Sequence, residues 1–265
     1  MEILILVLMG ALAGIMAGLL GIGGGALIVP VLVIVFEAQG VHSNVVMHAA
    51  LGTSLATIVF TSISSALAHH RRGAVDWMIF RRIAPALVVG TLLGTAFAYL
   101  LASVTLKILF VVFLFGLVVQ MSRGGQATRP HTQLPQPIGM NIVGILIGSA
   151  SAVFGIGGGS LAVPFMTWCS VPVKRAVATA AAFGVPIAIS GTLGFLVAGL
   201  HAPNLPPGSV GYVVLPAFAS IAVASVLAAP LGARLAHRLS DVMLRRIFVL
   251  FIAALGLRML WGLWK

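Results

Sequence analysis

Acidic side chains are nearly missing from this chain, with four Asp and Glu in 265 residues against 15 Lys and Arg. Charged residues make up 7% of the total and hydrophobic ones 60%, whereas an ordinary soluble domain carries roughly 25% charge. That balance excludes a soluble fold and predicts a polytopic membrane protein forming one transmembrane domain. The four acids, Glu2, Glu37, Asp76 and Asp241, fall at segment ends or in loops. No acidic relay or carboxylate cation site is therefore expected at depth, which argues against a cation carrier and suits an anion. The single cysteine, Cys169, can form no internal disulfide and has no metal-ligand companions. HExxH, GxSxG, a paired-acid site and a Cys–His pair are all missing, so an intramembrane enzyme is the weaker class. No catalytic residue, metal or cofactor is expected.

The formal charge of +11 is confined to short loops between apolar segments, so it reports orientation in a membrane and not nucleic-acid binding. The opening run MEILILVLMGALAG begins with Glu2 instead of a basic region, and its apolar stretch continues past any cleavage point. It reads as a retained membrane segment. Apolar segments fall at about 3–36, 45–68, 83–101, 106–121, 138–170, 176–200, 210–230 and 244–263. The polar, Gly- and Pro-rich stretch MSRGGQATRPHTQLPQP, 121–137, divides them. The expected organisation is repeat 1 over about 1–121, a linker over about 122–137 and repeat 2 over about 138–265.

What the chain does have is a repeat. GLLGIGGGALIVPVL, residues 18–32, returns as AVFGIGGGSLAVPFM, and Gly21 to Pro30 align with Gly155 to Pro164 without a gap. Further along, Thr53 pairs with Thr179, Pro85 with Pro216, and Leu106-Lys107 with Leu244-Arg245. The opening run of each half is too long for one span of about 30 Å and too short for two full spans. With GIGGG at its middle, each is expected to form two short helices meeting at the glycines.

Loop charges then orient the halves. After the second segment the first half carries Arg71, Arg72, Arg81 and Arg82, and the matching loop 201–209 carries none. Before that segment the bias reverses, with none in 37–44 and Lys174 and Arg175 in the match; between the last two segments Lys107 faces Arg234, Arg238, Arg245 and Arg246. Such alternation is what inverted-topology repeats show. The linker, with Arg123 and Arg129, is then cytoplasmic, Lys107, Arg258 and Lys265 lie elsewhere, and both termini face outside. The predicted fold is all-α and polytopic: two inverted repeats, each opening with a glycine-broken helical hairpin followed by three spans.

Gly21, Gly23, Gly24 and Gly25, with Gly155, Gly157, Gly158 and Gly159, precede apolar runs containing Pro30 and Pro164, the residues expected to shape the half-helices. Successive glycine N–H groups at a helix start form an anion-binding concavity, reinforced by the helix dipole. Close helix packing is the alternative role for such glycines. A dinucleotide fingerprint is not supported, because no strand precedes the glycines. The next segment of each half adds polar groups. His48, aligned with Lys174, would supply positive charge, and Thr53, Ser54 and Thr179 would supply hydroxyls. A membrane hydroxyl also commonly bonds its own helix backbone. His69 and His70, beside Arg71 and Arg72, read as a solvated basic turn and not as a metal site.

These motifs, with AALGTSLATIVFTSISSALAHHRRGAVDW and LAAPLGARLAHRL, resemble the sulfite exporter TauE/SafE family, also called the organosulfonate permease family of bacterial membrane proteins. The resemblance covers nearly the whole chain. It implies an inner-membrane permease for sulfite, organosulfonates or related sulfur oxyanions, working by alternating access with export favoured. The second half departs from the pattern, reading ATAAAFGVP where the first reads GTSLATIV. A passive anion channel is the alternative. The partners are a small anionic substrate and the lipid bilayer, with no nucleic acid; proton coupling and oligomeric state stay open.

Overall fold

The computed structural model describes residues 7–8, 10–12, 14–15, 25–122, 136–236 and 241–263. Gly21, Gly23 and Gly24, and residues 123–135 of the expected linker, lie outside the described residues. The described residues between 7 and 15 are helical. After them come α1 (Gly25–Ala38), α2 (Ser43–Arg71), α3 (Trp77–Leu100), α4 (Ser103–Ser122), α5 (Pro137–Val153), α6 (Gly159–Trp168), α7 (Val173–Ala198), α8 (Leu215–Ala236) and α9 (Asp241–Trp261). Helices α2, α3, α4 and α7 are each long and apolar enough to cross a membrane, and α1, α5, α8 and α9 contain shorter apolar stretches. The chain is an all-α polytopic membrane protein.

Helix α2 sits at the centre, with most of its length buried, from Val45 to Ile58 almost without interruption. Its main partner is α7, and the two run antiparallel: Gly184 faces Ser62, while Gly191 faces Leu55. Helix α1 is buried on nearly every side, as a helix apolar all round must be. Small residues set the closest crossings, since no difference in hydrophobicity drives helices together in lipid. Gly90 and Gly94 of α3 pack on the backbone of Ile145 and Ser149, and Gly144 and Gly148 of α5 pack back on Ile83, Leu87 and Thr91. The N-terminal helical residues Gly10 and Gly14 meet Ile221 and Ser225 of α8 in the same way.

In two places the structure departs from the sequence reading. The segment expected over 210–230 begins with a short antiparallel pair, β1 (Ser209–Val210) and β2 (Val213–Val214), and its helix starts at Leu215. Pro206 and Pro207 precede the pair, and Gly208 and Gly211 take positive φ, which turns the chain tightly enough to pair its strands. Lys107, expected in a loop, lies instead in the second turn of α4 and is buried, its Nζ 2.6 Å from Glu37 Oε1 and 3.1 Å from the Gly262 carbonyl. The pairing offsets the desolvation that would otherwise keep a lysine in a loop.

Candidate functional site

The second glycine run breaks the chain where expected. Helix α5 ends at Val153, its last carbonyls taken by Phe154 N–H and Gly155 N–H, and α6 starts at Gly159 with Gly158 as its N-cap. Gly155 has φ of +57°, a left-handed conformation that glycine adopts without the clash a Cβ brings. Among the described residues the N–H groups of Gly157, Gly158, Gly159 and Ser160 have no backbone acceptor. These are the orphan donors that open a helix. Pro164 leaves the Ser160 carbonyl without its intrahelical donor, and Pro30 does the same to Ala26 in α1.

Gly25, the last glycine of the first run, meets the second run. A Cβ on Gly25, the first residue of α1, would stand 2.6 Å from the Gly155 carbonyl oxygen and 2.8 Å from Ile156 Cα. The contact is therefore backbone to backbone. Ser54 of α2 ties the junction by donating from Oγ to the Gly155 carbonyl at 2.8 Å. Beside it a narrow cleft of about 20 Å³ lies between α2, α6 and α7, lined by Gly157, Gly159, Ile58, Ser62 and Gly184 among others.

The remaining expected site residues spread along the α2–α7 axis. Thr53 Oγ1 accepts the Val214 N–H at 3.0 Å, and Thr179 Oγ1 accepts the Asp76 N–H at 2.9 Å. Thr57 donates to the carbonyl of Thr53 in its own helix. His48 is buried six residues before Ser54, about 9 Å along the helix. Its Nε2 bonds the Ala98 carbonyl at 3.1 Å, its ring stacks on Tyr212 at 5.0 Å, and its Nδ1 has no partner. Lys174 does not join it: the lysine is exposed in the first turn of α7, although the two positions align in sequence. Lys174 and Arg175 stand at the same end of the antiparallel α2–α7 pair as Arg71 and Arg72, all exposed.

Two residues near the break went unread in the sequence. The hydroxyls of Ser151, in the last turn of α5, and Ser160, in the first turn of α6, are buried without a hydrogen-bond partner. Their signal was a difference between the copies, because Ser160 stands where the first run has Ala26. Tyr212 also went unread. Burial pushes its hydroxyl above the usual range, with Tyr99 adding to the shift. Among the described residues no cluster of His, Cys, Asp or Glu could hold a metal ion.

Comparison with known proteins matches this sequence to transporters. The family model described as "Sulfite exporter TauE/SafE" matches residues 6–259. A probable membrane transporter protein of Haemophilus influenzae is 39% identical over 260 residues, covering 97% of both chains. One of Methanocaldococcus jannaschii is 28% identical over 257 residues, covering 97% of this chain and 94% of its own. Another, YdhB of Bacillus subtilis, is 28% identical over 263 residues, covering 97% of this chain and 100% of its own. No solved structure matches the chain at a significant level. With the match running almost end to end over a bundle of apolar helices, the chain belongs to the sulfite exporter TauE/SafE family and is a multi-pass membrane transporter.

Proposed function

We propose that the chain is a permease for small anions, of the class of sulfite, organosulfonates and related sulfur oxyanions, and that it binds them where the two GIGGG runs meet. The observation that carries this reading is the contact of Gly25 with Gly155 and Ile156. It sets the start of α1 against the turn that leads into α6, with Ile58 touching both Gly25 and Gly157, and the dipoles of both half-helices then favour an anion there. Gly157, Gly158 and Gly159 offer N–H donors, Gly21, Gly23 and Gly24 are assigned the matching role, and Ser54 holds the junction. Thr53 and Thr179 position the elements around it. His48 and Lys174 stand at opposite ends of the α2–α7 pair and leave direct contact with the anion to the glycine N–H groups and the hydroxyls.

The halves are read as inverted repeats, 1–121 and 138–265, moving by alternating access with export favoured. Support comes from the antiparallel run of α2 and α7, which the repeat equates. It comes also from crossed contacts: Gly10 and Gly14 pack on α8, while Gly144 and Gly148, their counterparts in the repeat, pack on α3. The basic residues at one end of α2–α7 would face the cytoplasm, which puts both termini outside the inner membrane.

Gly24→Val and Gly158→Val test the site. A Cβ at Gly158 meets the flexible end of Ile187 at 2.8 Å and otherwise stands at ordinary contact distance from Phe183 and Ile147, with no backbone in its way. Each should abolish counterflow of labelled sulfite in proteoliposomes while the protein remains monodisperse. Normal flux in both removes the site assignment, and flux that never saturates points to a channel instead.

A further inference from the structure

We infer that the anion site is built on the second glycine run, that Ser160 and Ser151 donate their hydroxyls to the bound anion, and that the site takes a monoanion in preference to a dianion. This rests on the permease reading above and goes on to name the ligand hydroxyls and the charge class of the substrate.

The hydroxyls carry the first half of the argument. Almost every other buried Ser or Thr has a partner, and most donate to a carbonyl of their own helix, as Thr57, Thr61, Thr91, Thr95, Ser190 and Ser225 do. That is the ordinary resting place of a membrane hydroxyl. Ser151 and Ser160 do not use it, although Ser151 is 0% and Ser160 8% exposed. In the first turn of α6 the Cα–Cβ bond of Ser160 leans toward the helix start, the same direction its N–H points. Ser151 shares a face of α5 with Ile147, four residues earlier, and Ile147 Cγ2 stands 3.9 Å from where a Cβ on Gly158 would be. Ser160 therefore borders the orphan N–H groups of Gly157 to Ser160, and Ser151 lies on the face of α5 that turns toward Gly158. In the first run the position of Ser160 is held by Ala26, so the extra donors belong to one half only.

Charge carries the second half. Residues 3–36 and 136–173 contain no Asp, Glu, Lys, Arg or His. On the elements packed around the break, the charged or titratable groups stand off. His48 is six residues up α2 from Ser54, half-buried His69 and exposed His70, Arg71 and Arg72 follow Ser65 by a turn or more at the other end of α2, Lys174 and Arg175 are exposed at the start of α7, Asp76, Arg81 and Arg82 lie at the start of α3, and Glu37 is paired with Lys107. The cleft beside the break is almost wholly apolar. Dipoles and hydroxyls alone must then replace the hydration of the anion, and the cost of desolvating an ion rises with the square of its charge. A dianion asks about four times as much of the same donors.

The test uses the full chain in proteoliposomes with three probes: methanesulfonate, always a monoanion; sulfate, a dianion; and sulfite, which passes from monoanion to dianion near neutral pH. Between about pH 5 and 8, half-saturating total sulfite should rise in step with loss of bisulfite. Methanesulfonate should be insensitive to pH, and sulfate should fail to compete. Ser160→Ala and Ser151→Ala should each raise the half-saturating concentration roughly tenfold, the weight of a hydrogen bond to a charged partner. Neither should lower the melting temperature, because each removes an unpaired buried group, and Ser160→Thr should retain affinity.

Equal competition by sulfate overturns the inference, as does a parallel weakening of methanesulfonate with pH, which would assign the effect to a group of the protein and not to the charge of the anion. Unchanged half-saturation in both serine variants, with flux lost in Gly158→Val, overturns it while leaving the permease site standing. No saturable uptake of any of the three anions by the wild type removes the permease reading, and this inference with it.

Discussion

Thr53 and Thr179 do the same work in opposite halves of the chain. Each lies on a central helix, and each hydroxyl oxygen accepts a backbone N–H at the start of a helix from the other half: Val214, just before α8, at 3.0 Å, and Asp76, the N-cap of α3, at 2.9 Å. The hydroxyls thereby fix where two membrane helices begin.

Replacing either should therefore be felt in stability. Thr53→Val and Thr179→Val each leave a backbone N–H without its acceptor in the protein interior, at a cost of about 1–3 kcal/mol. Both should lower the melting temperature in detergent by similar amounts. Thr57→Val, which removes only a bond within α2, should change it much less.

Gly155 joins two constraints, a left-handed backbone and close neighbours. A Cβ there would stand 2.8 Å from Leu51 Cδ2 and 2.9 Å from Val29 Cγ2. The left-handed strain alone costs roughly 1–2 kcal/mol. Gly73 has φ of +63° with nothing within 4 Å, so Gly73→Ala reads the strain by itself. Gly155→Ala should destabilise more than Gly73→Ala in thermal melts, the difference measuring how tightly α1 and α2 grip the break.

Glu37 and Lys107 form an ion pair between α1 and α4, with the lysine side chain 9% exposed and the carboxylate 33%. Removing one partner of a fully buried pair costs about 3–5 kcal/mol. The partial exposure of Glu37 puts Lys107→Met and Glu37→Gln at or below the lower end of that range. The double variant Lys107→Met with Glu37→Gln should recover part of the loss, and a thermal double-mutant cycle would measure the coupling.

Cys169 follows α6, and burial pushes its thiol above the usual range. The thiolate is the reactive form, so maleimide labelling of the folded protein should be slow at neutral pH and keep accelerating past the ordinary thiol range. Unfolded protein should label faster at the same pH. The folded pKa being raised, the stability linked to this group is complete below the unfolded pKa and declines as pH rises through the folded one. Cys169→Ala should flatten that decline.

The doubled glycine run could be read without coordinates because a broken helix needs a local cause, and Gly155 to Gly158 carry that cause in their own backbone. The apolar runs are equally local, since hydrocarbon demands helices about as long as it is thick. Partners were not legible in this way. The sequence offered Thr53, Thr179, Ser54, His48 and Lys174 as one polar set, but alignment within a repeat says nothing about depth. His48 is buried while Lys174 is exposed, and Ser54 reaches a carbonyl 101 residues away.

By itself the sequence determined the membrane class, the all-α fold and the site of the second break, because each follows from composition or from the conformational range of a few neighbouring residues. Only the tertiary structure decided that Gly25 lies on Gly155, that Lys107 is buried with Glu37, and that Ser151 and Ser160 are left without partners. Those facts depend on which distant helices share a face, and a hydrogen bond is satisfied or orphaned by neighbours in space, not by neighbours in sequence.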